Sequence, residues 1–335
     1  MKIAFLMASY DTMHFFKVMA DRLVKRGHTV KAFPAMPTSI TGGRYSVTQC
    51  NWHTFEIDPI ENYNPDRIIV WNGYHAPFSA AVSYFKEKYK VLHVEMAWLP
   101  QKGNVYYDTA NIGARSGIAN RCSLISGKAT PKEKEVFSNI KKLYFPKAKP
   151  KKLPEKYIVV PLQLEMDTSI TLNSPFFKTM DSLIGYALKM SPYPIVIKPH
   201  PKKMIDKKNF EKFKAIAPAD LKDITVIENN EIDMNTLAAH SSGLIGINST
   251  SMIEAVVHFK PMIQLGDNVF FMHHFPMWEH KKSVHEVFET DKSYYEDAYI
   301  KKLAFLFVNQ VSTLNPQPWA IEKIEKWHHL QQEVK

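Results

Sequence analysis

Cysteine is nearly absent from this chain of 335 residues: only Cys50 and Cys122 occur, 72 positions apart and in no Cys-x-x-Cys pair. That excludes a disulfide scaffold and a thiolate metal site, and both residues read as small buried apolar side chains. Glycine is sparse too, at 12. There is no Walker A sequence, and no Gly-x-Gly-x-x-Gly follows the first strand, which disfavours ATP hydrolysis and dinucleotide redox chemistry. No run of about 18 apolar residues exists, so no segment is expected to cross a membrane. The opening MKIAFLM runs into Ser9-Tyr10-Asp11 too soon for a secretory signal and reads as a buried first strand of a cytoplasmic protein. Internal repeats and low-complexity tracts are missing. What remains is globular usage, 45% hydrophobic and 23% charged, which excludes a disordered chain and supplies two domain cores. Charge is the unusual feature: 43 Lys and Arg against 33 Asp and Glu leave +10. Such an excess fits nucleic acid, an anionic membrane surface or an anionic small substrate.

Strand and helix patterns alternate. Ile3 to Met7, His28 to Phe33, Asp66 to Trp71 and Lys90 to Glu95 read as strands. Met13 to Arg26 and Ala80 to Lys88 carry helical spacing between them. The pattern restarts with strands at Tyr157 to Val160, Ile195 to Lys198, Ile224 to Ile227, Ser242 to Ile247 and Met262 to Leu265. The helices Phe176 to Met190, Lys208 to Ala217, Ile232 to His240 and Ser249 to Phe259 separate these strands. Helices at Glu296 to Val308 and Pro318 to Leu330 close the chain. Between the halves lies Phe145 to Tyr157, with three prolines and five lysines, the best linker candidate. The expectation is therefore α/β: two facing Rossmann-like domains, residues 1–150 and 151–335, with ligands at the carboxyl ends of their strands.

Four motifs fall at such ends. Lys198-Pro199-His200-Pro201 follows IVIK, and its prolines fix the backbone around an imidazole. Plainly read, it is a turn with a surface histidine. Asn248-Ser249-Thr250 with Glu254 opens a helix on hydroxyls, which suits an anion, with Glu254 placed for ribose hydroxyls. Plain capping explains it equally. Gln163, Glu165 and Asp167 alternate after the strand YIVV, and in an extended segment would share one side. A polar loop with Asp167 capping a turn is the ordinary alternative. Glu95 ends a strand of the first half beside Trp98, where an apolar neighbour can raise a carboxyl pKa. Asn111 and Arg115 follow in a glycine-punctuated loop, and the Arg115 fork suits a carboxylate, or a surface ion pair. The histidines of Met272-His273-His274-Phe275, with His280 and His285, lack a third ligand fixed on one face, so no metal site is expected. Two phosphate-suited loops in one half, with no helix carrying a lysine stripe, favour a nucleotide sugar over nucleic acid.

Taken in order, Glu95, then Val160-Pro161-x-Gln163-x-Glu165-x-Asp167-x-Ser169-Ile170, then Lys198-Pro199-His200-Pro201, then Asn248-Ser249-Thr250 with Glu254, then His258-Phe259-Lys260-Pro261, the sequence resembles the bacterial capsule-polysaccharide and O-antigen β-Kdo transferases. The resemblance is strongest from about residue 90 to 270. It departs at Leu162, where the capsule branch usually has glycine, at Met166, where it often has an acid, and at Phe259, which replaces the second glycine before Lys-Pro. It implies a GT-B-like architecture and retaining transfer of Kdo from CMP-β-Kdo to a glycan or glycolipid, with no metal or other cofactor. Asp167 then matches the nucleophile and Glu95 the acid/base. His200 matches the donor-phosphate histidine, with Lys198, Asn248, Ser249, Thr250 and Glu254 around the CMP. Gln163, Glu165, Arg115 and Asn111 are left for sugar and acceptor. An enzyme of this kind is expected in the cytoplasm, near the anionic inner-membrane surface. Two other readings stand beside it: a nucleotide-sugar 2-epimerase of GT-B shape, and a non-catalytic protein that binds anionic glycans or membranes.

Overall fold

The computed structural model describes residues 1–8, 12–36, 44–75, 78–201, 224–227, 231–270 and 284–327. The helix expected at Lys208 to Ala217 and the histidines 273, 274 and 280 lie outside them. In chain order the first elements are β1 (Lys2–Met7), α1 (Met13–Lys25), β2 (Thr29–Pro34), β3 (Ser46–Val47) and α2 (Asp58–Tyr63). Next come β4 (Arg67–Trp71), α3 (Phe78–Lys88), β5 (Val91–Met96), β6 (Asn104–Asp108), α4 (Gly117–Ser123) and α5 (Pro131–Leu143). Then follow β7 (Ile158–Pro161), α6 (Thr168–Asn173), α7 (Met180–Met190), β8 (Ile195–Lys198), β9 (Thr225–Val226), α8 (Met234–His240) and β10 (Gly243–Gly246). The last are α9 (Ile253–Val257), β11 (Met262–Gln264), α10 (Val284–Phe288), α11 (Glu296–Asn309), β12 (Val311–Ser312) and α12 (Pro318–Lys326).

These elements form two compact units, residues 1–118 with the segment from 306, and residues 119–305. The first holds a seven-stranded sheet in the order β12-β6-β5-β4-β1-β2-β3. Its middle is parallel, whereas β6 pairs antiparallel with β5, and β12 antiparallel with β6. Apolar runs such as IAFLM and IIVW are covered on both faces, as parallel strands require. α12 returns to this unit: Ala320, Ile321 and Ile324 join its core. Glu325 takes two bonds from Arg26, at 2.7 and 2.8 Å, and one from His28 at 2.8 Å.

The second unit has a five-stranded sheet in the order β11-β10-β7-β8-β9, parallel throughout. The chain steps from β7 outward to β8 and β9, then returns to lay β10 on the other side of β7. The direction of winding thus reverses between β7 and β10, the place where ligands bind in such sheets. Gly243 is needed there, since a Cβ would meet Phe288 and the Pro261 carbonyl oxygen within 2.6 Å.

The division differs from the expected break at 150/151. The boundaries fall inside α4 and α11, where composition carries no signal. The proline- and lysine-rich stretch is packed within the second unit. Lys147 N donates to Thr236 Oγ1, His240 Nε2 donates to Lys147 O, and Leu153 is buried.

Candidate active site

The second unit gathers three of the four motifs at adjacent strand ends. Beyond β7 the chain turns instead of continuing extended: Asp167 N bonds back to Leu164 O at 3.0 Å. The expected sharing of one side by Gln163, Glu165 and Asp167 is therefore replaced by three separate tasks. Asp167 caps α6, Oδ1 accepting from Ser169 N at 2.8 Å. Its Oδ2 makes no hydrogen bond among the described residues. Glu165 Oε1 accepts from Met180 N at the start of α7, at 2.8 Å.

Gln163 turns inward. Its Nε2 donates to Asn248 Oδ1 at 3.0 Å and to Ser169 Oγ at 3.3 Å, and its Oε1 accepts from Asn248 N at 3.2 Å. Asn248 Nδ2 donates to the Ser169 and Asp267 carbonyls at 2.6 and 3.1 Å. Both amides are buried and use their polar atoms within the protein. They clamp the loop after β7 to the loop after β10, across the point where the winding reverses. Gln163 and Asn248, both expected at the ligand, are joined to each other there.

Ser249 Oγ accepts from Ser251 N at 3.3 Å and lies 2.7 Å from Ser251 Oγ, capping the short 3₁₀ turn before α9. Thr250 is half-buried beside it. Lys198 ends β8 with a buried side chain, level with Pro161 of β7, and His200 follows half-buried between its prolines. Glu254, one turn into the same segment, keeps Oε2 buried with no hydrogen bond among the described residues. Burial first, and then the Asp233 charge, push its carboxyl up to about 8, against the pull of Lys198. Burial lowers the Lys198 ammonium in turn, while Asp233 and Glu254 sustain it. At neutral pH this corner therefore holds a largely protonated carboxyl beside a cation. That combination suits an anionic group with hydroxyls next to it.

The first unit holds the other carboxylate. Glu95, at the end of β5, accepts from Asn72 Nδ2 at 2.6 Å through Oε2, and from Met96 N at 2.9 Å through Oε1. Trp98 stacks on Tyr106 at 4.5 Å. Tyr106 lies opposite Glu95 in the sheet register and accepts from Gly113 N at 2.6 Å. Its hydroxyl is pushed well up, by burial first and then by the Glu95 charge. The loop that carries Asn111 and Arg115 is built on buried Asp108. Its Oδ1 accepts from Ala110, Asn111 and Gly117, and its Oδ2 from Ile118. Asn111 spends its side-chain oxygen on Ile112 N, at 2.7 Å, while Arg115 is exposed.

Asn72, Asp108 and Asp233 carry no motif that marks them in the sequence, apart from Asn72-Gly73 directly after a strand. Among the described residues no group of three or more His, Cys, Asp or Glu is arranged to hold a metal ion. No helix there is long and apolar enough to cross a membrane.

The family model described as capsule polysaccharide biosynthesis protein matches residues 122–310, more than half of the chain. The chain belongs to this family. Capsule-synthesis membership covers the three motifs of the second unit and leaves Glu95 outside the matched residues. None of the curated proteins matches the sequence. Among solved structures, KpsC of Thermosulfurimonas dismutans, a β-Kdo 2,7 transferase, is 17% identical with a TM-score of 0.58, over 98% of this chain and 99% of that one. The same organism's KpsC β-Kdo 2,4 transferase is 14% identical with a TM-score of 0.54, over 96% and 97%. A UDP-N-acetylglucosamine 2-epimerase from Rickettsia bellii is more distant, 12% identical with a TM-score of 0.44 over 97% and 95%. The likeness to the first two gives the expected α/β, GT-B-like fold class.

Proposed function

We propose that the chain is a retaining glycosyltransferase of capsule polysaccharide synthesis, moving a β-Kdo residue from CMP-β-Kdo to a glycan or a membrane-held glycolipid. The observation that carries this reading is the meeting of three distant motifs at the carboxyl ends of β7, β8 and β10, where the winding of the second unit reverses. The family's capsule role and the β-Kdo transferase descriptions of two structures sharing the fold support it.

In this reading Lys198, His200 and the hydroxyl-capped turn at Ser249 and Thr250 stabilise the charge on the departing CMP phosphate. Protein cations then serve where other transferases use a metal. Glu254 meets the ribose hydroxyls. Asp167 forms a bond to the anomeric carbon through Oδ2 as the bond to the phosphate oxygen breaks and its electron pair leaves with CMP. An acceptor hydroxyl oxygen then displaces Asp167 and gives up its proton to a general base, the role that the resemblance assigns to Glu95. Gln163, Glu165 and Asn248 are positioning residues.

The test is transfer. Purified protein with CMP-β-Kdo and a glycan acceptor should release CMP and form a β-linked product. Asp167→Ser keeps a capping oxygen for α6 but removes the carboxylate, and should lower kcat by about 10³-fold or more. Wild-type transfer by that variant would end the nucleophile assignment. Conversion of a UDP-N-acetylhexosamine without acceptor, and no use of CMP-β-Kdo, would replace the reading with an epimerase.

A further inference from the structure

The end of α5 joins two features that a solvated surface seldom combines. Leu143 is 56% exposed and Phe145 86% exposed, just past Ile140, the last buried residue of the helix. From 141 to 156 the chain carries seven lysines and a single acidic residue, Glu155. Some of these lysines are engaged. Lys147 pairs with Asp233 at 3.4 Å, Lys152 pairs with Glu231, and Lys141 lies over the rings of Phe137 and Phe259. Lys142 and Lys151 are exposed and form no ion pair among the described residues. Lysines still outnumber Glu155, Asp233 and Glu231 together. The backbone that presents them is tied down: Lys147 bonds through both N and O to α8, and Leu153 is buried. The apolar tip is thus carried on a packed segment with a cationic surround.

We propose that Leu143 and Phe145, with the lysines of residues 141–156, dock the second unit peripherally on an anionic lipid bilayer. The chemistry selects this occupant. Lysines alone would suit a nucleic-acid backbone, but two exposed apolar side chains in their midst would gain nothing there. A bilayer interface takes a phenyl ring and a leucine at the boundary of head groups and acyl chains, and anionic head groups take the lysines. The proposal extends the reading of a membrane-held acceptor and rests on it for its purpose, though its test does not.

The full-length chain is sedimented with vesicles of phosphatidylcholine alone, or with about 30 mol% phosphatidylglycerol. Binding should favour the anionic vesicles at least about tenfold and fall at least about tenfold as salt rises from about 0.05 to 0.5 M. The double variant Leu143→Ser/Phe145→Ser should lose about tenfold or more while its melting temperature stays that of wild type. Lys142→Glu/Lys151→Glu should weaken binding further at low salt than at high salt. Four results would overturn the proposal: no vesicle binding, equal binding to neutral vesicles, wild-type binding by the Leu143/Phe145 variant, or a lipid-free dimer that this variant abolishes. Transfer to a soluble acceptor separates the two readings. The double variant should keep its rate there, and vesicle binding without any transfer would remove only the transferase.

Discussion

Burying Glu254 beside Asp233 makes stability depend on pH in a direction that can be worked out. Its carboxyl ionises at about 8 in the folded chain and near 4.5 when unfolded, so the folded state holds the extra proton between those values. Stability from this group therefore falls as pH rises from 4.5 to 8. Glu254→Gln should gain on wild type across that window, by on the order of a few kcal/mol, with the difference constant above it. Parallel urea-derived stability curves for the two proteins would contradict the burial of Glu254. His93 works the other way. It is buried, donates through Nδ1 to Asn72 O, leaves Nε2 without a hydrogen bond among the described residues, and burial lowers it to about 4. The unfolded chain takes up its proton first, so this contribution is lost as pH falls from 6.5 to 4. His93→Phe should flatten the acid limb of the stability curve. At this scale residue types were legible in the motifs, but partners were not. Gln163 and Asn248 stand 85 positions apart, and nothing local says that each satisfies the other. Cutting the clamp with Gln163→Leu should strand the Asn248 backbone N–H and side-chain oxygen, costing about 1–3 kcal/mol in denaturant unfolding.

Phe259 closes a helix in an unusual backbone conformation. α9 closes with Phe259 N bonded to Val256 O and Lys260 N bonded to Ala255 O, and the residue between helix and turn has φ 52°. This is the left-handed position that glycine fills most readily. Phe259 is held there by its ring, 5.0 Å from that of Phe137, and by Tyr295 bonding to its carbonyl. Phe259→Ala and Phe259→Gly both lose the ring, but only alanine keeps the strain. Thermal unfolding should rank the glycine variant above the alanine variant by about 1 kcal/mol. At the start of α5, Thr130 and Glu133 form a reciprocal cap, with bonds of 3.2 and 2.7 Å. Thr130→Ala should cost about 1 kcal/mol. The long apolar strands and the α1 and α7 patterns were readable because burial on both faces, or on one helical stripe, imposes a period. The short pieces β3 and β12 and the antiparallel β6 were not. Two residues show no alternation, and direction in a sheet is a property of pairing rather than of sequence.

At the scale of the whole molecule, two α/β units were legible from the restart of the strand pattern, but their boundary was not. Prolines and lysines marked a linker, whereas the chain passes between units inside two helices, and its last helix rejoins the first unit. That return depends on contacts with the turn between α1 and β2 some 300 positions earlier, which no local pattern encodes. Part of the +10 charge is Lys198 at the end of β8, and part is the lysines around Leu143 and Phe145. The central claim is that the strand ends of the second unit hold a CMP-activated acidic sugar. Calorimetric titration with CMP, UDP and GDP tests it most directly. CMP should bind in preference to the other two, and His200→Ala in an otherwise wild-type chain should weaken it about tenfold or more. Binding of UDP with none of CMP, or CMP binding indifferent to His200, would contradict it.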